Sequence, residues 1–348
     1  MAENPHIPKA SIIIVNYNGG EYMGRCVEAL LAQSETDFEC FIMDNGSTDG
    51  SIDTLPELDE RFIIEKLGDN LGFARANNLG AKKARADWII CLNPDAFAHP
   101  NWLEELLKTP SMGECVTMAG SRQNMALEPG VLDGIGDCYH AFGLAYRAGC
   151  GHADDAYPIP DYQEVFGPCG AAALYHRDSF IRLGGFDERF FTYHEDVDLA
   201  YRMRRDGGIC IQNNKAIVDH VSSGIAGRAS EFAVYYGTRN RIWTFLKNTP
   251  RPLLLILLPA HFATCLFTLT WSIFRKGRFM PTLKGTWDGF FNSPVSFWSG
   301  YWLSKPGDGR NERNVHLHDL IRSFTWSPRK VYKREIPRMH SIDEIKNK

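Results

Sequence analysis

One order repeats through the first hundred residues of this chain. A short apolar run is followed by a polar turn cluster and then by apolar residues at helical spacing. Residues 11–15 (SIIIV) are continuous and β-branched, the pattern of a strand buried on both faces. Residues 21–33 follow, with Met23, Cys26, Val27, Leu30 and Leu31 on one helical face. Residues 38–43 (FECFIM) predict a second strand and residues 62–64 a short third. Residues 72–84 predict a helix and residues 88–92 (WIICL) a fourth strand. This β-α-β-α order predicts an α/β fold with a mostly parallel, doubly wound sheet. Such sheets bind ligands beyond the carboxyl ends of their strands. The polar clusters fall there: NYNGG after the first strand, DNGSTDGS after the second, NPDA after the fourth.

Residues 121–166 have weak periodicity and read as loops and short strands. A small-residue strand is expected over 170–175 and a helix over 177–183, stopped by Gly184-Gly185. A second helix over 196–205 ends at Gly207-Gly208, and a strand near 216–218 leads into Asp219-His220. The expected division is a first domain over 1–225 and a helical region over 226–348. Inside the latter, residues 253–274 contain no Asp, Glu, Lys or Arg. At about 1.5 Å per residue that run just covers a hydrocarbon layer of ~30 Å. Pro259, His261 and several threonines disfavour a free-standing span. Arg251 precedes the run and Arg275, Lys276 and Arg278 follow it, so a span would put one basic cluster outside. A helix or bent helix pair lying in the inner leaflet fits better; a span and a buried soluble hairpin are the alternatives.

Charge sharpens this division. The chain carries −4 overall, which argues against a nucleic-acid partner. The last 74 residues carry +8 and the rest −12, so the tail suits an anionic surface, or is simply solvated. Nine scattered cysteines with no CxxC pair read as reduced thiols, neither a disulfide framework nor a zinc site. The opening MAENPHIPKA lacks the apolar stretch of a signal peptide. The expected location is the cytoplasmic side of the cell membrane; the oligomeric state is open.

Four polar positions are candidates for chemistry. Asp44 closes the second strand, where a carboxylate either accepts the N3–H of a uracil or thymine ring or makes an Asx-turn. Asp95, in Asn93-Pro94-Asp95, either holds a hard divalent cation beside a phosphate or caps a turn. Glu195, Asp196 and Asp198 open a helix, as acids do for dipole reasons, or one of them takes a proton from an attacking hydroxyl. His220 is a metal ligand or a loop histidine.

Together these motifs resemble the family 2 glycosyltransferases of GT-A fold, in particular their bacterial rhamnosyltransferase-like branch. Asn16-Tyr17-Asn18 resembles the family's nucleotide-contacting turn, and Asp44-Asn45-Gly46-Ser47-Thr48-Asp49-Gly50-Ser51 its base-binding motif. Asn70-Leu71-Gly72-Phe73-Ala74 with Asn78-Leu79-Gly80 resembles the helix that starts near the diphosphate. Leu92-Asn93-Pro94-Asp95 stands in the place of the metal-binding DxD, with Asn93 replacing the first acid. Gly184-Gly185-Phe186-Asp187-Glu188 followed by Glu195-Asp196-Val197-Asp198 is the most specific stretch. His194 departs from the usual aromatic or small residue. Tyr235-Tyr236 with Arg239-Asn240 resembles a motif that follows the catalytic domain.

The resemblance implies an inverting enzyme that moves a hexose or deoxyhexose, rhamnose-like, from a UDP- or dTDP-sugar. It implies that Asn16, Tyr17, Asn18, Asp44, Asn45, Gly72, Asn78, Asn93 and Asp95 contact the nucleotide sugar. Asp95 and His220 would hold a divalent cation, Mg²⁺ or Mn²⁺, and Asp196 would be the base, with Glu195 beside it. The expected acceptor is a glycan or a polyprenyl-diphosphate-linked sugar. A processive synthase needs several spans and a QxxRW-like motif, and the sequence has neither. A non-catalytic binder would have lost Asp196 or Asp95. A dinucleotide oxidoreductase would carry GxGxxG where this chain has Asn16-Tyr17-Asn18-Gly19-Gly20.

Overall fold

The computed structural model describes residues 6–156, 158–222, 230–293 and 317–335. Ser223 and Gly224, in the loop after His220, lie outside the described residues, as do 294–316 and 336–348 of the basic tail. The predicted core strands form as β1 (Ala10–Asn16), β2 (Phe38–Asp44), β3 (Phe62–Lys66) and β4 (Trp88–Leu92), with α1 (Gly20–Leu31) and α2 (Gly72–Lys83) between them. Next come β5 (Ala96–Ala98), α3 (Trp102–Lys108) and the long β6 (Val116–Met125). The weakly periodic region resolves into β7 (Leu132–Gly134), β8 (Asp137–His140), β9 (Leu144–Arg147) and β10 (Tyr162–Val165). Then follow β11 (Ala172–His176), α4 (Arg177–Arg182), α5 (Glu195–Arg205) and β12 (Ile209–His220).

The sheet runs β10-β12-β6-β11-β4-β1-β2-β3. β3, β2, β1 and β4 are parallel neighbours, as the alternating order requires. β11 breaks the pattern by running antiparallel between β4 and β6, and β10 is antiparallel to β12. The sheet is therefore mixed beyond β4. β12 is also far longer than the strand expected at 216–218, because it pairs with β6 along its length across an irregularity between Asn213 and Ile217.

The continuous apolar run of β1 serves two layers at once. Ile12 and Ile14 join the core under α1 and α3. Ile13 and Val15 face the other core, shared with α2 and α5. This second core crosses residue 225. It takes in Ile242, Phe245 and Leu246 of α6 (Glu231–Asn248) and Leu253, Leu257 and Cys265 of α7 (Arg251–Ile273). Leu320 of α9 (Leu317–Arg322) and Phe324 complete it. The chain after α9 straps the β8–β9 hairpin: Thr325 N–H donates to Tyr139 O at 2.7 Å and Ala141 N–H to Thr325 O at 3.0 Å. A last short helix, α10 (Pro328–Lys333), follows.

The apolar run 253–274 forms one helix through Pro259, not a bent pair. It is long and apolar enough to cross a membrane, with mean hydropathy 2.0, and only 22% of it is buried. Leu255, Ile256, Phe262, Phe267 and Trp271 stand exposed on it. Met280, Trp287 and Phe291 do so on the following α8 (Phe279–Phe291). α8 packs closely on α6 through glycines: a Cβ at Gly285 would lie 2.7 Å from Tyr235 O, and one at Gly289 2.7 Å from Ile242 Cδ1. Gly285→Leu gains up to ~1 kcal/mol of helix propensity but drives the helices apart at a cost of about 1–3 kcal/mol. The expected result is a lower thermal midpoint, measured by differential scanning fluorimetry.

Candidate active site

The carboxyl ends of β1 and β2 lie side by side, with Asn16 opposite Asp44. Two loops are stitched together there. Asn16 Nδ2 donates to Ser47 Oγ at 3.0 Å and Ser51 Oγ at 2.9 Å, and Thr48 N–H donates to Asn18 Oδ1 at 2.8 Å. Asn45 Nδ2 donates to Asn70 Oδ1 at 3.0 Å, and Asn45 Oδ1 accepts from Leu71 N–H at 2.9 Å. The side chains of Asn16, Asn18 and Asn45 are thus largely occupied in joining the loops at the strand ends. Asp44 is buried and its Oδ1 accepts only from Ser47 N–H, at 3.2 Å; Tyr17 stands exposed at the rim.

Two further expectations change place. Asn78 was expected at the nucleotide, but its side chain brackets Phe186, donating to its carbonyl at 2.8 Å and accepting from its N–H at 2.9 Å. Gly72 leaves room for a ring: a Cβ there would strike Phe191 Cδ2 at 2.5 Å. Both residues therefore lock α2 to the segment that precedes α5.

Asp95 and His220 meet where β5 pairs with the end of β12. His220 Nε2 lies 3.3 Å from Asp95 Oδ1 and makes no hydrogen bond among the described residues. Its Nδ1 is held by Asp133 Oδ2 at 2.8 Å, and Asp133 in turn pairs with Arg147. Burial alone would lower the imidazole; the hydrogen bond to Asp133 and the nearby charges of Asp95 and Asp133 outweigh it, so its pKa is raised. A buried ring nitrogen left open toward a carboxylate, with the other nitrogen fixed by a second carboxylate, suits a divalent cation.

The head of α5 is reached through strained backbone. Phe191, Tyr193 and His194 have φ of 67°, 65° and 68°. Each costs on the order of 1–3 kcal/mol for a side-chain-bearing residue. α6 holds the strain in place: Asn240 Nδ2 donates to the carbonyls of Phe190, Thr192 and Tyr193 at 3.0, 2.8 and 2.8 Å. The motif's other two aspartates are tied down. Asp187 pairs with Arg189 and Lys247, and Asp198 with Arg202, Lys247 and Asn248. Asp196 differs. Its carboxylate accepts backbone N–H groups from Gly170 at 3.0 Å and Val197 at 2.8 Å and lines an open cavity of about 330 Å³. Glu195 lines it too but is buried with Oε2 unpartnered; burial first, and then the Asp196 charge, hold its carboxyl well above the usual range.

The cavity is completed by Asn93, Arg147, Cys169, Tyr193 and Asp137. The sequence reading missed Asp133, Asp137 and Arg147, all from the segment whose periodicity carried no signal, and did not foresee the role of Asn240. Asn240→Ala removes three bonds worth about 1 kcal/mol each and frees the strained loop. A loss of about 2–3 kcal/mol in urea denaturation is expected.

Residues 11–124 match the family described as Glycosyl transferase family 2. An N-acetylglucosaminyl-diphospho-decaprenol L-rhamnosyltransferase of Mycobacterium tuberculosis is 28% identical over 255 residues, covering 65% of this chain and 80% of that protein. Among solved structures, a mannosyltransferase of Pyrobaculum calidifontis in complex with GDP-Man and Mn²⁺ superposes with TM-score 0.52 at 14% identity, over 83% of this chain and 89% of that one. GalNAc-T7 with UDP, GalNAc and Mn²⁺ gives TM-score 0.55 at 15% identity, over 70% and 48%. These two establish the fold alone. Over residues 11–124 the chain is thus similar to the family 2 glycosyltransferases, and its sheet has the GT-A fold of these structures.

Proposed function

We propose that the enzyme transfers a hexose or deoxyhexose, rhamnose-like, from a UDP- or dTDP-sugar to a hydroxyl of a polyprenyl-diphosphate-linked glycan, with inversion. The observation that carries this reading is that Asp196, alone among the three aspartates of its motif, faces open space instead of a cation. The acceptor class is that in the name of the M. tuberculosis relative. Asp44 accepts the N3–H common to uracil and thymine. Asp95 and His220 are the ligands for Mg²⁺ or Mn²⁺, which when bound offsets the charge of the leaving diphosphate. Asp196, held by two backbone N–H groups, takes the proton of the acceptor hydroxyl. The freed oxygen attacks the anomeric carbon from the face opposite the diphosphate. The exposed apolar faces of α7 and α8, with Arg251, Arg275, Lys276 and Arg278 at their ends, dock the enzyme on the cytoplasmic leaflet, where such an acceptor resides.

Asp196→Asn is expected to lower kcat by ~10²–10⁴-fold while UDP- or dTDP-sugar still raises the thermal midpoint; near-normal transfer would remove Asp196 as base. EDTA should abolish transfer and Mn²⁺ restore it. Asp133→Asn, which unfastens His220, should weaken the Mn²⁺ requirement curve by about 10–100-fold. Flotation with anionic-lipid vesicles should carry the protein up; complete recovery in the soluble fraction at low salt without detergent sinks the docking step.

A further inference from the structure

Asp137 is an acid in the cavity wall that the mechanism leaves unused. It begins β8, and its backbone is fixed on both sides: its N–H donates to Gly167 O at 2.9 Å and its carbonyl accepts from Gly167 N–H at 3.3 Å. Its side chain is 7% exposed and lines the cavity, with no hydrogen bond or ion pair to the carboxylate among the described residues. Oxygens of Asp137 and Asp196 and the Cys169 sulfur all lie within 4.8 Å of one another. Three other buried or largely buried aspartates are tied to cations: Asp133 to Arg147, Asp187 and Asp198 to Lys247. A buried, unpaired carboxylate is costly, so one kept beside the reacting group calls for a reason.

We propose that Asp137 is a positioning residue for the transfer reaction, forming with Asp196 a carboxyl pair that holds one proton between them. This rests on the assignment of Asp196 as base. Two carboxyl groups within 4.8 Å of each other, Asp137 buried and Asp196 half-buried, do not both ionise readily. The backbone N–H groups of Gly170 and Val197 favour the anion on Asp196, so the proton resides on Asp137. Burial first, then the Asp196 charge, push Asp137 up to about 8. The groups facing it are Arg147 from β9, Asp133 from β7, Cys169 before β11, Cys210 of β12, and Glu195 with Asp196 from α5. Only Arg147 carries positive charge, and it is shared with Asp133.

The neutral Asp137 donates a hydrogen bond into the pair and keeps Asp196 aimed at the acceptor. In the transfer step the acceptor O–H breaks, its proton going to Asp196. The oxygen bonds the anomeric carbon, and the bond to the diphosphate breaks with its electron pair leaving on the diphosphate. Asp137 keeps its own proton throughout. Ionisation of Asp137 turns this donor into a second acceptor and a second negative charge, which disorders the base. The alkaline limb of the rate profile therefore belongs to Asp137.

The test uses the full-length protein and Asp137→Asn, which keeps a donor of the same shape and cannot ionise. The first readout needs no substrate. A carboxyl whose folded pKa lies above its unfolded value costs stability as pH rises between the two. Relative to the wild type, the Asp137→Asn midpoint should rise progressively from pH 5 to pH 8; a constant offset across that range overturns the pair. The second readout is kcat against pH with dTDP-rhamnose and N-acetylglucosaminyl-diphospho-decaprenol. The wild type should lose activity above about pH 8, and Asp137→Asn should lose that limb while keeping kcat at pH 7 within about tenfold. An unmoved alkaline limb overturns the proposal. Asp137→Leu, which removes the donor, should lower kcat more than Asp137→Asn without changing donor KM. If Asp196→Asn transfers normally, the base assignment fails, whatever the stability readout shows for the pair.

Discussion

The grip of α6 on the segment before α5 is the constraint on which the rest of this enzyme depends. Three residues with left-handed backbone, Phe191, Tyr193 and His194, turn the chain so that Asp196 enters a cavity at the strand ends. No local preference favours that path. It persists because Asn240 satisfies three carbonyls at once and Lys247 and Asn248 neutralise and bind the acids on either side. The helix that follows the sheet in sequence thus shapes the segment that lines the cavity, and its residues Ile242, Phe245 and Leu246 share the sheet's core.

The same helix links chemistry to surface. α8 approaches α6 through Gly285 and Gly289, and α7 reaches the β8–β9 hairpin through His261, whose ring stacks on Phe245 and whose Nδ1 lies 2.8 Å from Phe142 O. That hairpin brings Asp137 and Arg147 to the cavity. The exposed apolar helices and the cavity wall are therefore joined by a short packed path.

Asp133 and Arg147 also lie between the two halves of the site. Asp133 holds His220 on the donor side and Arg147 on the cavity side. A carboxylate serving both an imidazole and a guanidinium is held well below its ordinary pKa: burial opposes this, and the Arg147 charge and the His220 hydrogen bond prevail. It stays ionised, which keeps His220 oriented toward Asp95.

Much of this could be read without coordinates. The succession of strands and helices in the first hundred residues and the loops at the strand ends follow from periodicity and turn residues, and the motifs around Asp44, Asp95 and Asp196 marked these acids as candidates, because such signals depend on residues within a few positions of one another. Tertiary structure decided what each polar group is free to do. Asn78 went to Phe186, and the asparagines of the first two loops went to Ser47, Thr48, Ser51, Asn70 and Leu71 of the neighbouring loops. Asp187 and Asp198 were neutralised from about fifty residues away by Lys247. Asp137 came to Asp196 from a segment with no readable period. A carboxylate's chemistry depends on which charges and donors lie within a few ångströms of it in space, and sequence spacing does not report that distance once the chain has crossed the sheet.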